Sequence, residues 1–376
     1  MAIKSFDYVN YSKVFRTQVP QSNLLLTHLD VFADRQIADS HKVSMDRIQE
    51  ASIGVDAPLM RFSSEWGTIE KPTAGSYLYE LPWSGVTDRV TSADLKGYRK
   101  PGSTMEQSLD EIEANKFIQM RAKFERSREY AYWQALIFNK VNAWGTQQNE
   151  IDWAVEFSLN QRTADLHQGV NDDPMRDIDD QVSATKALMG GLTQYLRGWV
   201  LLCGSDAYRA VRYSPQIREL LVYSNGLVGS DVLFPSDVLP GFSSFMLGSV
   251  RLIEVSDSAF SGIKSNEAFL VPVFGNAPVE QSLPMGRFIG PCARHLEISA
   301  SGDVEDWYAY RAFDELRNRN LYSEYSLMAY NFRPDLVCKM TLLPTAYKAV
   351  CGSALLPLPG EAKERRYTHA HETVQF

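Results

Sequence analysis

Between Ser103 and Trp144 the chain has neither proline nor glycine, and both residues bracket the stretch: "KPGSTMEQSLDEIEANKFIQMRAKFERSREYAYWQALIFNKVNAWG" opens on Pro101-Gly102 and closes on Gly145. Ser103 followed by Glu106 makes a capping box, in which hydroxyl and carboxylate each satisfy a backbone N–H at the helix start. Met105, Leu109 and Ile112 begin an apolar stripe, Phe117, Met120 and Phe124 continue it, and Trp133, Leu136, Ile137 and Val141 finish it. A helix of about 40 residues is about 60 Å long, too long to sit inside one compact domain. The stretch therefore predicts a spine along which the rest is hung. Its "KFERSRE" charges read most simply as a solvated face.

With 376 residues the chain exceeds the usual size of a single core, so two domains or one elaborated domain are expected. The net charge of −8 argues against a protein that grips nucleic acid through a basic face, though it permits one that encloses nucleic acid. The 18 Tyr, 18 Phe and 7 Trp suit cores and interfaces equally. Cys203, Cys292, Cys338 and Cys351 show no zinc-like spacing and read as buried thiols in a reducing compartment. The N-terminus lacks the apolar core of a signal peptide, and no stretch has the roughly 18–20 apolar residues that span a bilayer. A soluble protein made in the cytoplasm is expected.

Along the chain, "SNLLLTHLDVFADRQI" (22–37) suits a short helix and "HKVSMDRI" (41–48) an extended segment, within an arm that needs a surface to lie on or an ordinary N-terminal subdomain. "APLMRFSSEWG" and "SYLYELPWSG" flank a Pro- and Gly-bearing turn signal and predict a hairpin. Tyr77, Tyr79, Leu81 and Trp83 share one face of its second strand, with Leu78 on the other. "IDWAVEFSL" (151–159) alternates and predicts a strand with Ile151, Trp153, Val155, Phe157 and Leu159 inward. An acidic entry at 172–180 leads into an amphipathic helix with Ile178, Val182, Leu188, Leu192 and Leu196 inward. Its aspartates are better explained by the helix dipole than by calcium. Residues 199–290 alternate helix and strand, and "LYSEYSLMAYNFRPDLVCKMT" (321–341) reads as a closing hairpin hinged on Arg333-Pro334-Asp335. The tail 357–376 is polar and led by Pro-Gly.

Catalytic signatures are missing: no Walker phosphate loop, GxGxxG, GxSxG or HExxH. His28, His41, His167, His295, His369 and His371 include no helical metal pair, and "HAH" at 369–371 is weak evidence of a site. The best enzyme candidate is Cys292 with His295, for which no third partner can be named. No catalytic, cofactor-binding or metal residue is assigned. A spine, an aromatic hairpin and an arm are all devices for reaching other subunits.

In this order the elements resemble the major capsid proteins of tailed phages, specifically the lambda-like major capsid protein family, over roughly residues 20–341. "HKVSMDRI" followed by "APLMRFSSEWG" resembles the family's arm and the first strand of its extended loop. "ELPWSGVTDRVTSADL" is similar to the returning strand, and "GYRKPG" to the lead into the spine helix. "AVEFSLNQ", "GWVLLCGSDAYRAVRYSPQIRELL", "GSVRLIEVSD" and "EAFLVPVFG" resemble the later strands and the entry to the axial domain, and "EYSLMAYNFRPDLVCKMTL" the closing hairpin. The chain departs from the family in running on through 342–376.

The resemblance implies an α+β fold in six parts: N-terminal arm 1–50, extended loop hairpin 51–97, peripheral domain with spine helix 98–189, axial domain 190–285, peripheral closing strands 286–345, and C-terminal extension 346–376. It implies a structural protein, not an enzyme, that self-assembles into hexamers and pentamers of an icosahedral head around double-stranded DNA. Trp66, Tyr77, Tyr79, Trp83 and Arg89 are then expected at contacts between subunits. A separate scaffolding protein, a portal and a decoration protein are implied partners, with no cofactor and no membrane. Some relatives crosslink through a lysine, and Lys71 lies in the loop region. An encapsulin-like compartment remains open as an alternative, as does an α/β enzyme using Cys292 and His295.

Overall fold

The spine forms as an α-helix over Leu109–Trp133, then widens into a π-turn over Gln134–Phe138. Its described part, Leu109–Phe138, is about 45 Å long. The residue that stops it is neither Gly nor Pro. Asn139 takes a left-handed conformation (φ 56°), its N–H caps the Gln134 carbonyl, and its side chain accepts from Asn331 Nδ2 at 3.0 Å. Asparagine tolerates this conformation better than other residues with a side chain. Ile112, Met120, Phe124, Trp133, Leu136 and Ile137 of the expected stripe are buried.

The computed structural model describes residues 24–49, 73–91, 94, 109–141, 151–168, 173–217, 242–275, 283–302, 304–314 and 318–343. Trp66, Lys71, the Ser103–Glu106 box, the "APLMRFSSEWG" run and the extension 346–376 lie outside them. The chain divides into two units, 1–159 with 274–333 and 160–273 with 334–376. This division cuts the sequence differently from the expected boundaries, since 160–189 and 334–345 go with the second unit. Among the described residues no helix is long and apolar enough to cross a membrane.

The first unit is built on the long strand Arg319–Asn331. It pairs antiparallel with Trp83–Val90, Tyr308–Phe313 and Met285–Ile289, and Asp34–Ile37 lies parallel beside the last of these. Gly286 stands opposite Tyr330. A Cβ at that position would run into the Tyr330 ring and come within 2.7 Å of the Asp34 carbonyl. The bare glycine lets the Tyr330 hydroxyl donate to Asp34 Oδ2 at 2.7 Å, which ties the N-terminal strand to the sheet. The spine packs on the same strand, with the Phe124 ring 4.8 Å from Tyr325. Leu24–Leu29 makes a single π-helical stretch whose Leu25 N–H donates to Glu129 of the spine at 2.8 Å.

The second unit holds a six-stranded sheet in the order Arg162–Leu166, Cys338–Leu342, Glu267–Phe274, Leu196–Cys203, Val250–Glu254, Ser244–Leu247. "WVLLC" and "EAFLVPVF" are buried along their whole lengths, as their continuous apolar runs predict. The hairpin Ser244–Leu247/Val250–Glu254 turns at Gly248, whose φ of 58° favours glycine. The helix Pro174–Met189 buries Ile178, Val182, Thr185 and Met189. Leu188 faces out and Leu196 begins a strand, so the inward stripe ends sooner than predicted. Asp173 caps this helix by accepting from the Met175 and Arg176 N–H groups, and Asp177 accepts from the His167 N–H at 2.9 Å. The acidic entry thus serves the helix start.

Two further expectations are corrected, and a third falls partly outside the described residues. Residues 321–341 do not form a hairpin: Arg319–Asn331 and Cys338–Leu342 pair with different strands in different sheets, because the turn Pro334–Leu336 passes the chain from one unit to the other. Thr73–Glu80 pairs with Lys42–Gln49 of the expected arm, with Val43 opposite Tyr79, while the expected partner run "APLMRFSSEWG" lies outside the described residues. Finally, 151–159 is a strand only at Ile151–Asp152 and becomes a short helix at Trp153–Phe157. Asp152 caps that helix at the Ala154 and Val155 N–H groups. Trp153 and Phe157, four apart, share its buried face, while Val155 points out.

Candidate assembly interface

Among the described residues the ribbon pairs two strands, Lys42–Gln49 and Thr73–Glu80, an arrangement that is marginal unless one face is packed. That face carries Tyr77 and Tyr79. The Tyr79 ring meets Trp153 edge-on at 5.4 Å, Tyr77 meets Phe157 at 6.0 Å, and Phe332 closes the cluster against both Trp153 and Phe157. Tyr79 also donates to Glu156 Oε2 at 3.3 Å. Burial, reinforced by the Glu156 carboxylate, pushes its phenol well above the usual range. Leu78 on the opposite face is 66% exposed. The predicted division of faces therefore holds, and much of the aromatic area expected to reach a neighbour is used inside this chain.

Where the ribbon continues into the sheet, a buried carboxylate gathers donors. Glu324 is 2% exposed. It accepts from Trp83 Nε1 at 2.9 Å, from the Arg294 N–H at 3.3 Å, and from the Cys292 thiol. The Arg294 guanidinium stacks on the Trp83 ring at 4.3 Å. A buried carboxylate is tolerated only with such company. Nothing in "LYSEYSLMAYN" marks Glu324 as buried, and the one available clue is its place in a period-two register with Tyr322 and Ser326.

A second, more exposed network ties the end of Trp83–Val90 to the spine. Arg89 pairs with Asp314, which also accepts from Asn318 Nδ2 at 2.9 Å. Lys116 donates to the Arg89 carbonyl at 2.7 Å and lies 3.2 Å from Asp88. Glu113 bridges Arg311 and Arg319. Of the expected contact residues, Tyr77, Tyr79, Trp83 and Arg89 thus follow one another along a single path, and Trp66 falls outside the described residues.

Cys292 and His295 do not form a catalytic pair. Each is engaged elsewhere: the thiol with Glu324, and His295 Nδ1 with the Ile298 N–H at 3.3 Å, where it caps a short helix. Burial and the Glu324 hydrogen bond push the Cys292 thiol up, opposite to what a nucleophile needs. No group of three or more metal-type ligands occurs among the described residues.

A sequence profile of the family described as "Phage major capsid protein E" matches residues 17–272. The chain belongs to this family. No curated protein matches the chain in sequence. Among solved structures, the chain is similar to the capsid of a native GTA particle, with 12% identity, TM-score 0.51, and 91% of this chain and 98% of that one covered. The capsid of Myoviridae phage XM1 gives 10% identity, TM-score 0.51, and coverage of 91% and 99%. The cyanophage Pam1 capsid gives 9%, 0.50, 91% and 98%. At these identities the likeness shows the fold alone, which is the tailed-phage capsid fold expected from sequence. The protein is a structural component of the phage capsid, and a capsid family implies a non-enzymatic role and a place in the virion. An encapsulin-like role is not favoured.

Proposed function

We propose that copies of this chain assemble as hexamers and pentamers into a closed icosahedral shell around double-stranded DNA, without catalysing a reaction. The observation that carries this reading is the family match over 17–272. The second unit would meet its own copies at capsomer centres, and the first unit would meet neighbouring capsomers. The ribbon, packed through Tyr77 and Tyr79 on one face, would offer Leu78 and its outer edges to an adjacent subunit, with Trp66, Trp83 and Arg89 nearby in sequence. Strand addition by an adjacent subunit would then extend the ribbon through its backbone groups. Each contact is weak, and ring closure makes many act together.

An excess of acidic residues, 46 against 38 basic, suits a wall past which packaged DNA must slide. Assembly would take place in the host cytoplasm with a separate scaffolding protein, a portal and a decoration protein as partners. Negative-stain electron microscopy of the expressed chain, alone and with the products of its neighbouring genes, tests the reading. Closed polyhedral shells or rings of five and six are expected. A uniform dimer or tetramer under every condition would overturn it.

A further inference from the structure

We propose that a recess in the first unit receives a single carboxylate side chain from a second copy of the chain. The recess, of about 450 Å³, is lined by Arg35, Arg121, Arg287, Glu305, Asp306 and Trp307. This rests on the shell reading above and adds a specific contact to it.

The wall has more donors than it can satisfy. Asp306 is already shared, at 3.2 Å from Arg35 Nε and 3.0 Å from Arg128 Nη1. Arg35 spends one terminal nitrogen on the Val304 carbonyl, Arg287 spends Nη1 on the Phe32 carbonyl at 2.7 Å, and Arg121 spends Nε on Glu125 at 3.0 Å. A guanidinium donates through all its nitrogens, so each of the three keeps a terminal amino group for an incoming acceptor. Two more donors belong to lining residues, Arg287 Nε and Trp307 Nε1, both buried with no acceptor among the described residues. Their N–H dipoles add to the positive potential of the recess. Arg121 is held in place by stacking 5.2 Å from both the Trp307 and Phe124 rings.

Charge decides between ligands. Three arginines against Glu305 and Asp306 leave one positive charge in excess on the lining. One carboxylate neutralises that excess, whereas a doubly charged phosphate overshoots it, and Glu305 and Asp306 on the same lining repel the phosphate row of duplex DNA. A second copy is the natural donor of such a group, since each chain carries more acidic than basic residues.

The test uses the full-length chain and reads the protein concentration at which shells first form, with thermal unfolding as the control for folding. Arg121→Gln should raise that threshold about tenfold, and Arg121→Lys should stay within about twofold of the parent. Threshold-neutral Arg121→Gln would overturn the proposal and leave the shell reading intact. Absence of shells from the parent chain, both alone and with the products of its neighbouring genes, would overturn both. A second arm treats shells of Arg121→Lys, mixed from nitrogen-15 and unlabelled chains, with a carbodiimide. The expected product is an amide joining the new lysine to a carboxylate of the other isotope, in shells and not in free subunits. Only same-chain products with Glu125, Glu305 or Asp306 would sink the idea. Inorganic phosphate that blocks assembly of the parent more than equal ionic strength of chloride does, and spares Arg121→Gln, would reassign the recess to phosphate and refute the carboxylate.

Discussion

Two strands set the two units apart. Glu267–Phe274 in the second unit is buried at every position, and past Glu267 it is wholly apolar, lying between Leu196–Cys203 and Cys338–Leu342 with their buried Leu201, Leu202 and Met340. Arg319–Asn331 in the first unit is just as central, yet it buries Ser323, Glu324, Ser326 and Asn331 beside Leu321, Met328 and Tyr330. The first kind of strand is held by area removed from water, which tolerates modest changes of shape. The second is held by partners that must be present one by one. The first unit is also the one with the ribbon and the ionic networks. Its fold is therefore the more easily weakened by changing single groups.

The sharpest way to break this contrast is to remove area from both cores. Trp153→Ala, at a fully buried ring in contact with Tyr79, Phe157 and Phe332, should cost about 3–5 kcal/mol and free the ribbon. Leu201→Ala should cost about 2–5 kcal/mol. Hydrogen exchange read by mass spectrometry should show deprotection of 73–80 in the first variant and of 196–203 in the second. Exchange spreading equally over both units in either case would erase the distinction.

Alkaline pH tests the packing of the first unit by another route. Burial, partly opposed by Arg287 and Arg128, pushes the Tyr132 phenol up to about 12, and burial with the Glu324 charge does the same for Tyr310. Raised phenols contribute stability that is fully present below the ordinary value of 10 and lost as pH rises through about 12. Tyrosinate absorbance should therefore appear together with unfolding of the first unit in that window. Titration of all tyrosines near pH 10 in an intact fold would contradict the burial.

Glu324→Gln should destabilise the first unit by about 1–3 kcal/mol, since one amide cannot accept from the Trp83, Arg294 and Cys292 donors together. Unchanged stability by urea titration would show that the carboxylate does not organise the site. A smaller effect is expected in the second unit at low pH. Burial alone would raise the Glu267 carboxyl, but the Lys339 ammonium at 2.8 Å, helped by Lys264, outweighs it and holds it below its usual 4.5. That contribution is present above about pH 4.5 and fades as pH falls through the lower folded-state value. Glu267→Gln should flatten the acid limb of the stability curve. The smallest change belongs to Arg89→Ala: its side chain is half exposed, so the unfolding midpoint of the subunit should not move. A raised assembly threshold with an unmoved midpoint would place Arg89 at a contact between subunits.

Two segments depart from their local pattern for a shared reason. "IDWAVEFSL" alternates, but Trp153 and Phe157 satisfy a helical period as well, and Asp152 as a cap decides for the helix. "EYSLMAYNFRPDLVCKMT" has the pattern of a hairpin, while each of its runs finds a different sheet. Local pattern states which residues want burial; it does not name the surface that provides it.

What the sequence determined alone is accordingly the spine, the buried strands "WVLLC" and "EAFLVPVF", the outward Leu78 and inward Tyr79, and the α+β capsid fold that their order implies. These follow from periodicity and from the absence of helix breakers, which act over a few residues. Tertiary structure decided the end of the spine at Asn139, the pairing of 42–49 with 73–80, the burial of Glu324, and the gathering of Arg35, Arg121 and Arg287 around one recess. Each of these depends on residues tens to hundreds of positions apart. Their energies are set by desolvation and partnership, which exist only once the chain has closed on itself.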